Sequence, residues 1–247
     1  MSALLEVRSV KKHFGGVRAL ECIDLSLDAG RIYCIVGPNG CGKSTLLSII
    51  SGEQRPTAGS IWFAGKEITG ISPSRIARMG ILRKFQAPSI FPELSVAENV
   101  ECAFMAKRSA IERLTTTRHV ASLTELLRTI GLEHRAEMLA EDLAHGEKQW
   151  LEIGMLLAGD SAVLLLDEPT AGMTMRETQQ TVELIRRISS DHGRTVLAIE
   201  HDMSFVAGLQ CEVIALLRGK VLCTGTYAEV SSNPEVREAY LGTASHV

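Results

Sequence analysis

One glycine-rich segment, residues 37–45, constrains this chain more than any other part of its sequence. It fits the pattern Gly-x-x-x-x-Gly-Lys-Ser/Thr, follows the apolar run Ile32–Val36 and precedes a segment of helical character, 44–51. In this pattern the glycines let consecutive backbone N–H groups surround a phosphate, and the helix N-terminus adds a positive dipole end. Strand, glycine-rich turn and helix together predict an α/β fold with a nucleotide-phosphate site at one edge of a parallel sheet.

Two side chains of this phosphate loop carry charge or metal chemistry. Lys43 is predicted to hold the β- and γ-phosphates during catalysis, and the Ser44 hydroxyl is predicted to ligate Mg²⁺. A glycine-rich turn that merely joins a strand to a helix is the alternative, and the position of the motif between those two elements weakens it. The loop residues predicted to bind the nucleotide are Gly37, Pro38, Asn39, Gly40, Cys41, Gly42, Lys43, Ser44 and Thr45.

Two acids, Asp167 and Glu168, follow a second apolar run, 162–166. An apolar strand that ends in carboxylates places them at the carboxyl edge of a parallel sheet, where such folds bind ligands. We predict that Asp167 belongs to the Mg²⁺ site and that Glu168 polarises the attacking water. Adjacent strand residues point to opposite sides, so the two acids can hold different roles. Without the phosphate loop, such a pair would usually be a solvated turn.

Two further polar residues follow predicted strands. Gln86 comes after the run 81–85 and precedes Pro88, and His201 comes after 195–199 and Glu200. A histidine in this position is more often a surface or core residue. Its place after a third strand, beside the strand that carries the two acids, makes His201 a candidate for the same site.

The remaining pattern divides the chain into an α/β core and a helical stretch. β segments are predicted at 4–10 and 22–27, around a Gly-Gly turn, and hairpins at 60–68 and 212–224. From about residue 93 to 160, apolar residues recur at helical spacing. We therefore predict one domain over 1–247, in which a helical subdomain, 93–160, is inserted into a core of 1–92 and 161–247.

Composition and charge narrow the class of protein. The chain is 4% aromatic and 22% charged, which fits a globular α/β protein rather than a disordered or fibrous one. A net charge of -3 argues against a dedicated nucleic-acid binder, although it is compatible with a local basic patch. We expect neither export nor membrane insertion, because no signal-peptide pattern opens the sequence and the apolar runs are short. The cysteines lack Cys-x-x-Cys spacing and are expected to be reduced and mostly buried.

In their order and spacing these residues resemble the ABC ATPases over essentially the whole chain. The resemblance implies a P-loop NTPase fold with a RecA-like parallel-sheet core, an N-terminal antiparallel β subdomain and the inserted helical subdomain. It implies ATP and Mg²⁺ as cofactors, with Gln86 as the Q-loop glutamine that senses Mg²⁺ and His201 as the switch histidine at the γ-phosphate. Phe14 matches the aromatic residue that stacks on adenine, although a lone phenylalanine is more often a core residue.

The signature segment departs from the family pattern Leu-Ser-Gly-Gly-Gln. Here it reads Leu-Ala-His-Gly-Glu, and the residues that would contact the nucleotide held by a second subunit are Ala144, His145, Gly146 and Glu147. Ala144 lacks the hydroxyl that would donate to the γ-phosphate, and Glu147 places an acid near an incoming polyphosphate, partly offset by its position at a helix start. The D-loop, 171–174, carries Thr174 where an aspartate is common. These departures bear on the rate of hydrolysis more than on fold or ATP binding.

Within the family, segments 80–86 and 91–99 resemble the ATPases of branched-chain amino-acid and urea importers. Segments 146–157 and 171–174, with His145, most strongly resemble the urea type. The resemblance implies a subunit at the cytoplasmic face of the inner membrane that powers import. Its partners would be integral permease subunits, a second identical or homologous ATPase in a head-to-tail dimer and, indirectly, a solute-binding protein, with no nucleic acid.

Two alternatives stay open at the level of sequence. One is an ABC-type ATPase that acts on nucleic acid or ribosomes, although 247 residues leave no room for the long coiled-coil inserts or tandem cassettes of such proteins. The other is a weakly hydrolysing regulatory subunit, which the altered signature segment favours.

Overall fold

The computed structural model describes residues 3–84, 90–107 and 117–241, and within them the chain forms two β-sheets surrounded by helices. The strands, in chain order, are β1 Leu5–Phe14, β2 Val17–Leu27, β3 Ile32–Val36, β4 Ala58–Phe63, β5 Lys66–Glu67, β6 Ile81–Lys84, β7 Val163–Asp167, β8 Thr195–Ile199, β9 Glu212–Leu217 and β10 Lys220–Gly225. The α-helices are α1 Lys43–Ile50, α2 Pro73–Met79, α3 Val96–Lys107, α4 Thr117–Thr129, α5 His145–Ala158, α6 Met175–Ser190, α7 Met203–Leu209, α8 Tyr227–Ser232 and α9 Pro234–Leu241.

The larger sheet has the order β10-β9-β3-β8-β7-β6. Strands β6, β7, β8, β3 and β9 run parallel, and β10 pairs antiparallel with β9 at the edge. Every residue of β7 and β8 is buried, as expected of central strands covered on both faces. Side chains of β7 alternate between two apolar clusters, with Leu164 and Leu166 in one and Val163 and Leu165 in the other.

The smaller sheet is antiparallel and has the order β2-β1-β4-β5. Its inward residues, including Leu5 and Val7 of β1, share one apolar cluster with α1 and with one face of the larger sheet. The other face of the larger sheet packs in a second cluster with residues of α5 and α6. The predicted fold class is confirmed, with the correction that the larger sheet is mixed, because β10 returns antiparallel through a tight turn.

Helices dominate the described residues between β6 and β7. They comprise α3, α4 and α5, with the short 3-10 helices Glu133–Arg135 and Ala140–Asp142. Residues 108–116 lie outside the described part of the chain. The division into an inserted subdomain, 93–160, and a core of 1–92 and 161–247 therefore stays a prediction.

Several predicted elements differ from the structure at their ends, and three helices were not predicted. β1 and β2 extend to the turn at Gly15, and the helix after the phosphate loop begins at Lys43. α2, α8 and α9 escaped prediction because each is short and buries few residues, so no long apolar period marks it. In the described part of the chain, no helix combines the length and the apolar character needed to cross a bilayer.

Candidate functional site

The phosphate loop turns tightly between β3 and α1, and glycine is required at two of its positions. At Gly37, φ is 156° and a Cβ atom would lie 2.2 Å from the carbonyl oxygen of Leu216. At Gly42, the N-cap of α1, φ is 107° and a Cβ atom would lie 2.6 Å from the carbonyl oxygen of Ala19. Since L-residues rarely adopt such conformations, both glycines serve loop geometry as well as phosphate access.

The side chain of Lys43 points back across the phosphate loop. Its Nζ donates to the carbonyl oxygens of Gly37, at 2.7 Å, and Pro38, at 3.0 Å, and the side chain is buried. The ammonium therefore lies inside the loop, where a phosphate would be held. Cys41 is also buried, and this burial raises the pKa of its thiol, so no thiolate repels phosphate at neutral pH.

Ser44 and Asp167 meet at the carboxyl edge of the larger sheet. Ser44 Oγ donates to Asp167 Oδ1 at 3.4 Å, and Asp167 is buried at the end of β7. A hydroxyl and a carboxylate are oxygen ligands of the kind that Mg²⁺ accepts together with phosphate oxygens. These two oxygen donors therefore fit a shared Mg²⁺ ion, and the assignment of both residues to a metal site stays a prediction.

Glu168 leaves the strand in a left-handed conformation. Its φ is 48°, uncommon for a residue with a side chain, and its N–H donates to the carbonyl of Ile199 on β8. The prediction that strand alternation separates Asp167 from Glu168 is wrong, because β7 ends at Asp167. The left-handed turn achieves the same result, since Glu168 is 31% exposed whereas Asp167 is 3% exposed.

His201 lies opposite Glu168, after β8. Its Nδ1 is 3.7 Å from Glu168 Oε1, and its side chain is 59% exposed, which rules out a core histidine. The preceding residue, Glu200, is buried and accepts from the backbone N–H and hydroxyl of Thr170, at 2.9 and 2.6 Å. Glu200 thus ties the loop after β7 to the loop after β8, and so sets the separation of Glu168 and His201.

The signature segment opens α5, which begins at His145 with Ala144 as its N-cap. His145 Nε2 lies 3.0 Å from the carbonyl oxygen of Ala171 in the D-loop. A carbonyl oxygen only accepts, so this ring nitrogen carries the proton and donates. The signature segment and the D-loop therefore contact each other within one chain.

Two carboxylates lie near the N-terminus of α5. Glu147 accepts from the N–H of Ala144 at 3.0 Å and lies 3.4 Å from Arg135 Nε, which compensates its charge. Glu177 of α6 lies against Gly146, where a Cβ atom would be 2.6 Å from its Oε1. Hydrogen bonds from Thr174, and a further one from the N–H of Gly146, lower the pKa of Glu177. Both acids thus satisfy helix-end donors that a phosphate would otherwise use.

The D-loop departure at Thr174 has a local explanation. Thr174 is the N-cap of α6, and its Oγ1 accepts from the N–H of Glu177 at 3.3 Å. The Glu177 carboxylate in turn accepts a hydrogen bond from the N–H of Thr174 at 2.8 Å. This reciprocal pair is a capping box, so Thr174 fixes the first turn of α6.

Phe14 and Gln86 complete the predicted site residues. Phe14 ends β1 and is 47% exposed, so it is not a core residue, and Lys12 Nζ lies 4.8 Å from its ring centroid. Gln86 lies outside the described residues, which end at Lys84 before this segment.

A cleft of about 690 Å³ adjoins the phosphate loop between Asn39 and the helix α9. Of the loop residues, Asn39, Gly40 and Ser44 are exposed, and Pro38 and Thr45 are half-buried.

Sequence reasoning missed three charged residues that the structure adds to the site. Arg83 forms an ion pair with Asp167, with Nη2 2.9 Å from Oδ2. Glu200 bridges two loops, and Glu177 lies against the signature segment. Each lies near the end of a strand or helix, and only tertiary contacts reveal its partner.

Comparison with known proteins gives two family matches. Residues 20–171 match the family described as ABC transporter, and residues 220–246 match the family described as Branched-chain amino acid ATP-binding cassette transporter. The high-affinity branched-chain amino acid transport ATP-binding protein LivG of Salmonella typhimurium is 35% identical to this chain, over 98% of each chain.

Solved structures give the same result for the fold. The ADP conformation of MJ1267, an ATP-binding cassette of an ABC transporter, superposes with a TM-score of 0.87 at 28% identity, covering 98% of this chain and 100% of the other. A dimeric post-hydrolysis state of the ATP-binding cassette MJ0796, bound to ADP and Pi, gives 0.76 at 25% identity, over 90% and 98%.

Proposed function

The chain belongs to the ABC transporter family, and we propose that it is the ATP-hydrolysing subunit of an importer for branched-chain amino acids. Membership of the family makes it a nucleotide-binding ATPase coupled to transport. The proposal goes further than family membership when it names the solute, the metal ion, the individual site residues and the partner subunits.

In the proposed reaction, the backbone of the phosphate loop and Lys43 hold the β- and γ-phosphates of ATP. Ser44 and Asp167 would hold Mg²⁺, which neutralises charge on the phosphate oxygens when it is bound. Glu168 would orient and polarise the water that attacks the γ-phosphate, and His201 would contact the same phosphate. Phe14 supports the adenine, and Gln86 belongs to the proposed metal site.

One observation carries this proposal. Lys43, Ser44 and Asp167 converge at the carboxyl edge of the sheet, with a 3.7 Å approach of Glu168 to His201 beside them. Glu168→Gln should leave ATP affinity within about threefold and lower hydrolysis by about 10²–10⁴-fold, because the amide cannot accept a proton. Fluorescent-nucleotide titration and phosphate release measure the two quantities.

Glu183→Gln is the matched control for that experiment. Glu183 is an exposed acid on α6 and lies outside the proposed machinery, so both quantities should stay at the wild-type value. Unchanged hydrolysis in Glu168→Gln would overturn the role given to Glu168, and loss of ATP binding in the wild-type chain would overturn the proposal as a whole.

The proposed assembly contains a second ATPase subunit, identical or homologous, bound head to tail. The dimeric MJ0796 cassette supports this arrangement. We propose further that residues 93–160 form the subdomain that contacts integral permease subunits at the cytoplasmic face of the inner membrane, and that a solute-binding protein delivers the solute. Nucleic acid is not a partner in this scheme, and kinship with LivG supports transport over action on nucleic acid or ribosomes.

Branched-chain amino acids are preferred to urea as the solute. LivG and the match at residues 220–246 support this choice, whereas the urea assignment depends on short segments of α5 and the D-loop. Co-purification with the permease, followed by uptake of labelled leucine and labelled urea into proteoliposomes, tests it. ATP-dependent accumulation of leucine supports the proposal, and accumulation of urea alone overturns it.

A further inference from the structure

The two oxygens of the Asp167 carboxylate have different partners, Arg83 and Ser44. Its Nη2 lies 2.9 Å from Asp167 Oδ2, and Ser44 Oγ lies 3.4 Å from Oδ1. The side chains of Arg83 and Asp167 are 10% and 3% exposed, so water contributes little to this contact. One carboxylate oxygen is thus bound by protein, and the other faces the hydroxyl of the phosphate-loop helix.

The guanidinium of Arg83 is itself held in place from a second side. Its Nη1 donates to Ser48 Oγ at 2.7 Å and to Glu53 Oε2 at 2.8 Å. Ser48 lies one turn after Ser44 on α1, and Arg83 lies on β6 beside Leu165 of β7. One planar side chain therefore connects β6, β7 and α1. A guanidinium can serve several acceptors in fixed directions, which a lysine ammonium cannot do in the same way.

The surrounding charges hold Arg83 as a fixed part of the Asp167 environment. Glu53 lies against Nη1 and compensates part of the arginine charge. If Arg83 were instead a mobile competitor for the carboxylate, it would need to leave Ser48, Glu53 and Asp167 together whenever a metal ion entered. The network of short contacts argues against such a movement.

We propose that Arg83 is a positioning residue that orients the Asp167 carboxylate for Mg²⁺. It acts through Oδ2, so that Oδ1 faces Ser44 and the ion that both would hold. This inference depends on the proposed function, since it assigns Asp167 to the metal site of a bound nucleotide. Because Arg83 lies three residues before Gln86, it also connects the metal site to the strand that leads into the Q-loop segment.

The experiment measures nucleotide affinity with and without metal ion, in a Glu168→Gln background that prevents turnover. The full-length variants Arg83→Met and Arg83→Lys are titrated with fluorescent ATP in excess Mg²⁺ and in EDTA, and Mg²⁺ is then titrated at fixed ATP. Arg83→Met should raise the half-saturating Mg²⁺ concentration about tenfold or more, while metal-free ATP affinity stays within about twofold. Arg83→Lys should recover part of that loss.

Arg194→Met is the matched control, because it removes another arginine–carboxylate pair of 2.8 Å, to Asp160, away from the phosphate loop. It should change neither affinity. Arg83→Met should also have no further effect on Mg²⁺ dependence in an Asp167→Asn background, since Arg83 acts through that carboxylate.

Three results would overturn the inference. An unchanged Mg²⁺ dependence in both Arg83 variants would make Arg83 a structural bridge only, and tighter Mg²⁺ binding would make it a competing cation. If ATP affinity in EDTA fell as much as ATP affinity in excess Mg²⁺, the phosphate loop itself would be disturbed. If Arg83→Met fails to fold, Arg83→Lys decides between these outcomes. Failure of the wild-type chain to bind ATP in either condition would instead contradict the proposed function.

Discussion

At the scale of single residues, the site separates neighbouring groups by burial and backbone conformation. Asp167 is buried and paired with Arg83, while Glu168, the next residue, turns outward at a φ of 48° towards His201. A left-handed conformation at a residue with a side chain costs energy, and such residues concentrate at functional sites. The strained position of Glu168 therefore agrees with its proposed role at the attacking water.

Cys211 allows a prediction about stability in alkali. Burial raises the pKa of this thiol to about 12, whereas a thiol in an unfolded chain ionises at about 8.5. Above that lower pKa the unfolded state binds fewer protons than the folded state, so stability falls as pH rises from about 8.5 towards 12. The thiol should cost up to about 2 kcal/mol of unfolding free energy at about pH 10.

Urea unfolding of wild type and Cys211→Ala at pH 8 and pH 10 measures this effect. Cys211→Ala should lose less stability between the two pH values than the wild type does, because it has no thiol to ionise on unfolding. Cys22→Ala, at an exposed cysteine, is the control and should show the wild-type pH dependence. Parallel losses in wild type and Cys211→Ala would contradict the prediction.

At the scale of elements, the N-terminus of α5 decides how well the signature segment can accept a phosphate. Glu147 already accepts from the N–H of Ala144, which is half of a capping box. The other half is missing, because alanine has no side-chain oxygen to accept from the first turn of the helix. A residue that restores this oxygen should therefore improve the helix end and the phosphate contact together.

Ala144→Ser should stabilise the protein by about 1 kcal/mol, since an N-cap serine satisfies a helix-end N–H. In the assembled transporter it should also raise the hydrolysis rate several-fold, because the new hydroxyl can donate to the γ-phosphate. Denaturant unfolding and phosphate release measure the two effects. Ala228→Ser, at an exposed position inside α8, should do neither. Greater stability without faster hydrolysis would separate helix capping from the proposed phosphate contact.

A buried ion pair joins β6 to α5. Lys84 Nζ lies 3.5 Å from Glu152 Oε2, and the two side chains are 2% and 4% exposed. Lys84→Met should lower the free energy of unfolding by about 3–5 kcal/mol, because it leaves a buried carboxylate without this cation. Denaturant unfolding measures the loss.

Replacing both partners of that pair tests the reason for the loss. Lys84→Met with Glu152→Leu should lose less stability than Lys84→Met alone, since no unbalanced charge remains. Arg128→Met, which removes an exposed pair with Glu133, should have no measurable effect. A double variant less stable than the single one would show that packing, not charge balance, dominates at this contact.

These charged residues mark the limit of what the sequence could predict. The run 81–85 was predicted as a strand from its apolar residues, and β6 was found there, but Arg83 and Lys84 within it gave no sign of their partners. Asp167 of β7 and Glu152 of α5 lie more than 60 residues away along the chain, and only the tertiary fold, including the parallel pairing of β6 with β7, brings them to Arg83 and Lys84. By contrast, the phosphate loop was predictable because its chemistry is local, a turn between consecutive elements.

At the scale of the whole molecule, the proposed catalytic groups and the signature segment make different contacts. Lys43, Asp167 and Glu168 lie at the carboxyl ends of the parallel strands, whereas the signature segment contacts the D-loop through His145 and Ala171. In the proposed head-to-tail dimer, each chain would offer its signature segment to the nucleotide of a second chain. The intrachain contact between His145 and Ala171 would make the signature segment and the D-loop move together.

A nucleotide-dependent dimer is the resulting prediction. The Glu168→Gln chain should be monomeric with ADP and dimeric with ATP and Mg²⁺ in multi-angle light scattering, because only ATP supplies a γ-phosphate to the α5 N-terminus of the partner. The double variant Ala144→Ser with Glu168→Gln should dimerise at a concentration about thirtyfold lower, because the symmetric dimer gains one hydrogen bond of about 1 kcal/mol at each of its two nucleotide sites. Adding Lys43→Met, which weakens ATP binding, should abolish the dimer. A chain that stays monomeric with saturating ATP would contradict self-association and require a homologous but different ATPase subunit to complete the site.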